Sequence, residues 1–448
     1  MSHPAIFSPE NAPADGQTLA TEAIQAAIDR CSNAGGGTVL LPAGTWLTGT
    51  LELRSNLTLH LAAGATLLGS PRSEDWRSCG FRHEEWGETT TLLYALGARN
   101  VHIAGQGTID LRGRSFMHWD QVKTGETFEP EIADQMDDRM RKQATVVGHE
   151  DRPRQPIFFE SCQRMSVSDI EIKDAPTWGL TFSRCRDVKI RGLSIDSHLQ
   201  APNSDGIHLC SCQDAIIADC VISCGDDCIA ITGITAPDVV TERILVSRCT
   251  LRSASSGVRI GHLYGKVRGV ILHQLAMHGC NRGIGIFAGD DGWVENVDAS
   301  DLHIGTQLTA GHWWGNGEPL VISAADTDTG RIEGIRLRHV RAESENGVVI
   351  MGTDGNITGV TLEDWTIRLA YGPARPLLGQ VIDLQPAKPR KAPDAEKSIP
   401  WLMVREAEEV TCRRVQHGRA RGETRAFSTQ HALGPETDLG LEEVSELE

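Results

Sequence analysis

The sequence predicts an all-β chain wound into a single parallel β-helix, with one helix capping its N-terminal end. Three observations predict it. Short β-rich runs beginning at Gln163, Arg186, Gln213 and Glu242 recur at intervals of roughly 23–29 residues, the period of a solenoid. Further runs at Val267, Val294, Ile332, Asn356 and Glu409 extend the series. The repeats hold strands without helices, which points to coils whose equivalent strands stack in parallel.

The elements follow in chain order. Ala23, Ile24, Ala27, Ile28 and Cys31 recur at helical period, so a helix is expected over 21–31, ended by Gly35-Gly36-Gly37. A stacked sheet needs its open end covered, and this helix is placed to do so. From Thr38 to Gly69 the period changes to short strands, each followed by Gly, Pro or Asn. Residues 70–92, with Trp76, Phe81, His83 and Trp86, read as a loop excursion. Strands return at Asn100–Ile103 and Gly107–Asp110. A charged insertion near 112–151, partly helical, is expected to wall a cleft. The β-helix is expected to occupy 1–415, with a final rung near Trp401-Leu402-Met403-Val404. Residues 416–448 read as an acidic, disordered tail.

Composition limits the partners. The net charge is −17, which argues against nucleic acid and against an anionic membrane surface. It also works against a long polyanionic substrate unless a locally basic cleft overrides the global field. Met1 to Phe7 has no basic region followed by an apolar one, so no signal peptide is read, and no run is long enough to span a bilayer. The twelve cysteines lack paired zinc spacing and read as small buried hydrophobes in a reducing, cytoplasmic setting.

The chemistry concentrates between Asn203 and Gly233. Asn203-Ser204-Asp205-Gly206 precedes the apolar run Ile207-His208-Leu209, and Cys224-Gly225-Asp226-Asp227-Cys228 precedes Ile229-Ala230-Ile231. Stacked coils lie about 4.7–4.9 Å apart. Asp205, Asp226 and Asp227 gathered on neighbouring coils cannot all ionise freely, so at least one should have a raised pKa. A protonated carboxyl beside an ionised one suits acid/base hydrolysis of a glycosidic bond. The plainer reading is that these aspartates only make turns. It explains one Asp-Gly pair more easily than stacked like charges.

A second stretch, Gly311-His312-Trp313-Trp314-Gly315-Asn316-Gly317-Glu318, places two tryptophans in a Gly-rich loop. Neighbours on a strand alternate faces, so both rings are unlike core residues. Trp313 or Trp314 is expected as a platform for a sugar face, with His312 and Glu318 as polar neighbours. The alternative is a structural loop plugged by tryptophan.

The motifs Asn203-Ser204-Asp205-Gly206 and Gly225-Asp226-Asp227 resemble, in order and spacing, the aspartate motifs of glycoside hydrolase family 28, the polygalacturonase group. Thr21 to Gly69 also resembles the entry segment of that pectate-lyase-like superfamily, and the likeness spans roughly residues 15–415. It implies a right-handed parallel β-helix and single-displacement hydrolysis with inversion. By resemblance, Asp226 is similar to the general acid, and Asp205 and Asp227 resemble the pair that activates water. The carboxyl groups would stand about 6.5–9.5 Å apart. Asn203 enters the expected substrate-binding set with this motif.

The chain departs from the family downstream. Ser255-Ser256-Gly257 stands where the family has Gly-His-Gly. Gly285 and Phe287 stand where an Arg-x-Lys pair binds the substrate carboxylate. Loss of that charge-assisted contact weakens the case for a uronic acid. Arg259, His262 and Arg282 are candidates to supply the charge from shifted positions.

The expected substrate is an oligosaccharide of pectin or another plant cell-wall glycan, cleaved in exo fashion, with no cofactor and no metal. Two other classes remain open at this stage. One is a lyase or epimerase using Ca²⁺ held by the three aspartates, with Arg259 or His262 as base. The other is a non-catalytic sugar-binding β-helix.

Overall fold

The computed structural model describes residues 5–83, 87–123, 144–233, 239–309, 311, 313–370, 372, 381–387, 390–391, 400–420, 432–433 and 437–447. The chain divides into two units. The first is Met1–Asp120 with Val146–Gly225, and the second is Gln121–Thr145 with Asp226–Glu448.

The first unit begins with the strand Ile6–Phe7 and the helix Thr21–Asn33. Ile24, Ala27, Ile28 and Cys31 are the buried face of that helix, as their spacing predicts. Glu22 in the first turn and Arg30 in the last suit the helix dipole. The helix packs against the strands Ile6–Phe7, Gly37–Leu41, Leu51–Glu52 and Leu57–Leu61, so it covers the first coil.

Behind it the coils stack in parallel register. Val39, Leu59, Ile103, Val167, Ile190 and Ile217 form one column, each at most 1% exposed. On the second sheet Leu51, Leu93, Ile157, Leu180 and Ile207 form another, fully buried. A shift of one residue would turn these columns to solvent, so burial pins the register.

Of residues 70–92, all but 84–86 are described, and Trp86 lies outside the described residues. The described ones hold a short turn at Ser73–Asp75 and an antiparallel hairpin, Ser78–His83 with Gly87–Thr90. Cys79 and His83 are buried, and Phe81 packs on Phe158 at 5.2 Å between ring centroids. The period-2 signal was present but hidden among polar residues. Of the expected insertion, the turn Gly113–Phe116 and the strands Met117–Lys123 and Thr145–Gly148 are described; residues 124–143 lie outside the described residues.

The second unit repeats the pattern with longer strands. Ile244, Val270, Val297, Ile335, Val360 and Val410 stack in one inward column. On its other sheet, Ile231, Ile260, Ile286, Ile322, Ile350 and Val404 stack inward. The final rung appears as the strand Leu402–Arg405.

The boundary expected at 415 falls inside the strand Ala407–Arg419. Leu439–Glu442 and Ser445–Glu446 pair with that strand in parallel, so these parts of the expected tail are strands. The acidic composition is accommodated because Arg413 binds Glu442 at 2.7 Å along the edge.

Candidate active site

In the first unit, Asp205 lies in the turn before the strand Ile207–Cys210. Asn203 there has φ 55°, a left-handed conformation that asparagine tolerates. Its side-chain oxygen accepts from Arg152 Nη2 at 2.9 Å, and Arg152 Nη1 donates to the Pro202 carbonyl at 2.9 Å. Asn203 is thus a turn residue held by Arg152. Ser204 Oγ donates to the Ala201 carbonyl at 2.8 Å and accepts from Gly225 N at 2.9 Å. A Cβ on Gly225 would stand 2.3 Å from the Ala201 carbonyl oxygen, so only glycine fits that approach.

Asp205 is buried, and its Oδ2 lies 3.4 Å from His208 Nδ1. His208 alternates with the inward Ile207 and Leu209, so it faces outward. There it lies on Trp178 at 3.9 Å, and His83 packs edge-on with Trp178 at 5.3 Å. A cleft of about 790 Å³ in the same unit is lined by Arg82, Glu88, Glu150, Arg152 and Arg154 among others. His208, Trp178 and Arg152 were not singled out from the sequence. The signal for His208 was a polar residue at an outward position directly after a catalytic-type turn.

In the second unit, Asp226 and Asp227 precede the strand Ile229–Thr232. Asp227 N donates to Asp226 Oδ1 at 3.0 Å, and Ser253 Oγ donates to the Asp226 carbonyl at 2.5 Å. Burial pushes the Asp226 carboxyl up to about 7, and the neighbouring Asp227 charge adds to it; Arg259 and the Ser255 hydroxyl oppose the rise. Its residue surface is nonetheless only half-buried, so the carboxyl is desolvated by protein yet reachable.

Asp227 is buried and ion-paired with Arg259 through Nε. Its Oδ1 accepts from Ser256 N at 3.3 Å. Arg259 is itself buried, with its guanidinium 5.5 Å from the Trp314 ring centroid. Within the protein, Arg259 is a partner of Asp227.

His262 lies 5.7 Å from Trp314, centroid to centroid. Burial, helped by Arg259, drives its imidazole down to about 3. At neutral pH His262 carries no charge, so it cannot replace a lost cation.

Arg282 is fully buried. It donates to the Asp383 carbonyl at 3.0 Å and lies 3.2 Å from Asp383 Oδ2 and 3.8 Å from Glu318 Oε2. Glu318 is also fully buried and accepts from Asn316 N at 2.7 Å. Burial raises its carboxyl to about 7, with Arg282 opposing and Asp383 reinforcing. Asp383 accepts in turn from Gly315 N at 2.5 Å. Arg282 and Glu318 therefore anchor the tryptophan loop, and both side chains are fully buried.

Trp313 is buried, 2% exposed, and fills the loop. Trp314 is half-buried, with its carbonyl bound by Ser255 Oγ at 3.3 Å and Asn281 Nδ2 at 3.2 Å. Of the two rings, only Trp314 presents surface. His312 lies outside the described residues. Among the described residues no group of three or more His, Cys, Asp or Glu is placed to hold a metal ion.

The outward face of this sheet changes character beyond Arg259. Its column continues as Gly285, Val321, Val349 and Met403. The Phe287 ring would stand 2.4 Å from a Cβ at position 285. Phe287, Val321, Val349, Met351 and Met403 pack with Leu384, which is fully buried. The segment around Asp383 and Leu384 covers this part of the face.

Comparisons agree with this geometry. The family model described as Glycosyl hydrolases family 28 matches residues 31–376. A probable polygalacturonase of Vitis vinifera is 28% identical over 382 residues, covering 80% of this chain and 72% of that protein. An exo-poly-alpha-D-galacturonosidase of Dickeya chrysanthemi is 27% identical over 241 residues, 48% of this chain and 39% of the relative. Among solved structures, the exopolygalacturonase from Thermotoga maritima has a TM-score of 0.62 at 21% identity, covering 99% of this chain and 93% of its own. The polygalacturonase from Erwinia carotovora ssp. carotovora has a TM-score of 0.61 at 22% identity, with 82% and 94% covered. These likenesses show the fold, a right-handed parallel β-helix.

Proposed function

The chain belongs to the glycosyl hydrolases of family 28, and from that premise we propose that it is an inverting, exo-acting hydrolase of pectin-type oligosaccharides. The observation that carries the reading is the Asp226–Asp227 pair. One carboxyl keeps its proton to about pH 7, while its neighbour is ion-paired with Arg259. Asp226 protonates the leaving glycosidic oxygen. Asp227 polarises the attacking water, which is what inversion requires. Trp314 offers its ring to the apolar face of a sugar. The twelve cysteines are all buried, as small hydrophobes are, which supports a reducing, cytoplasmic setting.

Exo action is supported by the cover over Phe287, Val321 and Val349. A polymer cannot run along a sheet face that Leu384 occupies, so a chain end is the fitting ligand. The test is wild-type protein with short oligogalacturonates, following products over time. A monosaccharide released from the first time points, with no unsaturated product, is the expected result. Early mid-length fragments overturn exo action, and unsaturated products overturn hydrolysis.

Trp314 and Trp313 separate a binding role from a packing one. Trp314→Ala is expected to raise KM roughly two- to tenfold, the value of one aromatic stacking contact, with Tm little changed. An unchanged KM removes Trp314 from the substrate surface.

A further inference from the structure

A groove of about 530 Å³ opens on the outer face of the second unit's other sheet. It crosses the strands Ala276–Cys280, Gly292–Thr306, Arg331–Ser344 and Ile357–Leu369. His303, Arg341 and Thr366 are in register along one ladder, and Gly305, Glu343 and Arg368 along the next, with His278 beside Gly305. Ile304, Ala342 and Ile367 between them face inward and are buried. His278, His303, Arg341 and Arg368 are exposed.

The basic groups here differ from their neighbours. Elsewhere on these strands Arg338 binds Asp298 at 2.9 Å and His339 lies 3.5 Å from Asp301 and Asp364, and from the next strand Arg414 binds Asp364 at 2.6 Å. His278, His303, Arg341 and Arg368 have no hydrogen-bond or ion-pair partner among the described residues. Arg341 and Arg368 do not close on Glu343, although Glu343 and Arg368 are register partners. Basic side chains on adjacent strands do not stabilise one another. Gly305 has a negative φ, so its backbone does not demand glycine; its missing side chain leaves the floor of the groove open.

We propose that this groove is a second binding site, separate from the hydrolytic one, for a carboxylated sugar chain laid along the stack of coils. The proposal rests on the pectin-type reading above, taken for its uronate-bearing chains. Arg341 and Arg368 take sugar carboxylates in forked, charge-assisted contacts. Glu343 accepts from sugar hydroxyls. A uronate offers both kinds of group, whereas inorganic phosphate offers few donors and meets the Glu343 charge. Glu343 and Glu345 line the groove beside Arg341 and Arg368, so its charges balance, and it suits a ligand carrying both carboxylates and hydroxyls rather than the dense phosphates of a nucleic acid. A long chain held here keeps the enzyme on its polymer while ends are trimmed elsewhere.

The test measures equilibrium binding of long polygalacturonate to the Asp226→Asn protein, with and without Arg341→Gln and Arg368→Gln. The paired change is expected to weaken binding by about tenfold or more at low salt, as loss of two charge-assisted contacts implies. In the wild-type background the same pair should leave kcat/KM on trigalacturonate unchanged. Arg331→Gln, an exposed arginine on the same strand outside the groove, should leave binding unchanged. Unchanged binding in the paired variant overturns the site. So does an equal loss with Arg331→Gln, which would reduce the effect to overall charge, or equally strong competition by inorganic phosphate. If wild type releases nothing from galacturonates yet the groove variants still lose chain binding, the hydrolase reading fails and the groove stands.

Discussion

Asp226→Asn is expected to lower kcat/KM by about 10²–10⁴-fold, the contribution of a positioned general acid, with the fold intact. The amide keeps the size of the side chain and can still accept from Asp227 N, as Asp226 Oδ1 does. What it lacks is a proton to give. In the wild type the carboxyl holds that proton to about pH 7, because burial and the Asp227 charge both disfavour ionisation. Activity should therefore fall as pH rises through about 7, and the variant should lack that limb. The stability sign runs the same way. A carboxyl whose folded pKa is raised contributes stability fully below its unfolded value of 3.8, and loses it as pH rises through about 7. The asparagine variant escapes this loss, so its Tm at neutral pH should equal or exceed that of wild type. Asp227→Asn differs, since it strips Arg259 of its buried counter-charge and should lower both activity and Tm. Near-normal turnover in Asp226→Asn sinks the acid assignment.

Arg282→Met is expected to cost about 3–5 kcal/mol of stability, the effect of breaking a buried ion pair from one side. Arg282 is fully buried between Asp383 and Glu318, with Phe287 5.1 Å from its guanidinium. Without it, two carboxyl groups remain in a dry site. Glu318 already keeps its proton to about pH 7 because of burial, and removal of Arg282 takes away the main influence opposing that rise. Asp383 also accepts from the Gly315 amide, next to the cover around Leu384. Thermal melts should show the drop, with KM for short oligosaccharides preserved in whatever fraction stays folded. A stable variant with a raised KM would return Arg282 to the substrate surface. By the same linkage sign, the Glu318 contribution is present below 4.5 and lost as pH rises through about 7, so Glu318→Gln should flatten stability over that window.

Much of the fold was legible in the residues. The helix face at Ile24, Ala27, Ile28 and Cys31 is a period that local geometry enforces. The columns through Val167, Ile190 and Ile217 follow because each coil must put an apolar side chain in the same place. The hairpin at Ser78–His83 was harder to see, since its pattern is short and its burial depends on Phe158, a partner far along the chain. The strands near Leu439 were hidden by acidic composition, which Arg413 offsets only once the strands are adjacent.

For the site, sequence alone determined which residue types meet at Asn203–Asp205 and Gly225–Asp227, because turn chemistry and strand alternation are local. Which charged side chains face a ligand is not a local property. Arg259, Arg282 and Glu318 read as free charges in sequence, and each is spent on a buried partner. His262 reads as a cation, and burial makes it neutral. Trp313 and Trp314 are adjacent in the chain, yet only the packing of the loop decided that one fills the interior and the other shows its ring. Ionisation and exposure depend on the dielectric and the charges that other coils bring close, and those are set when the chain stacks.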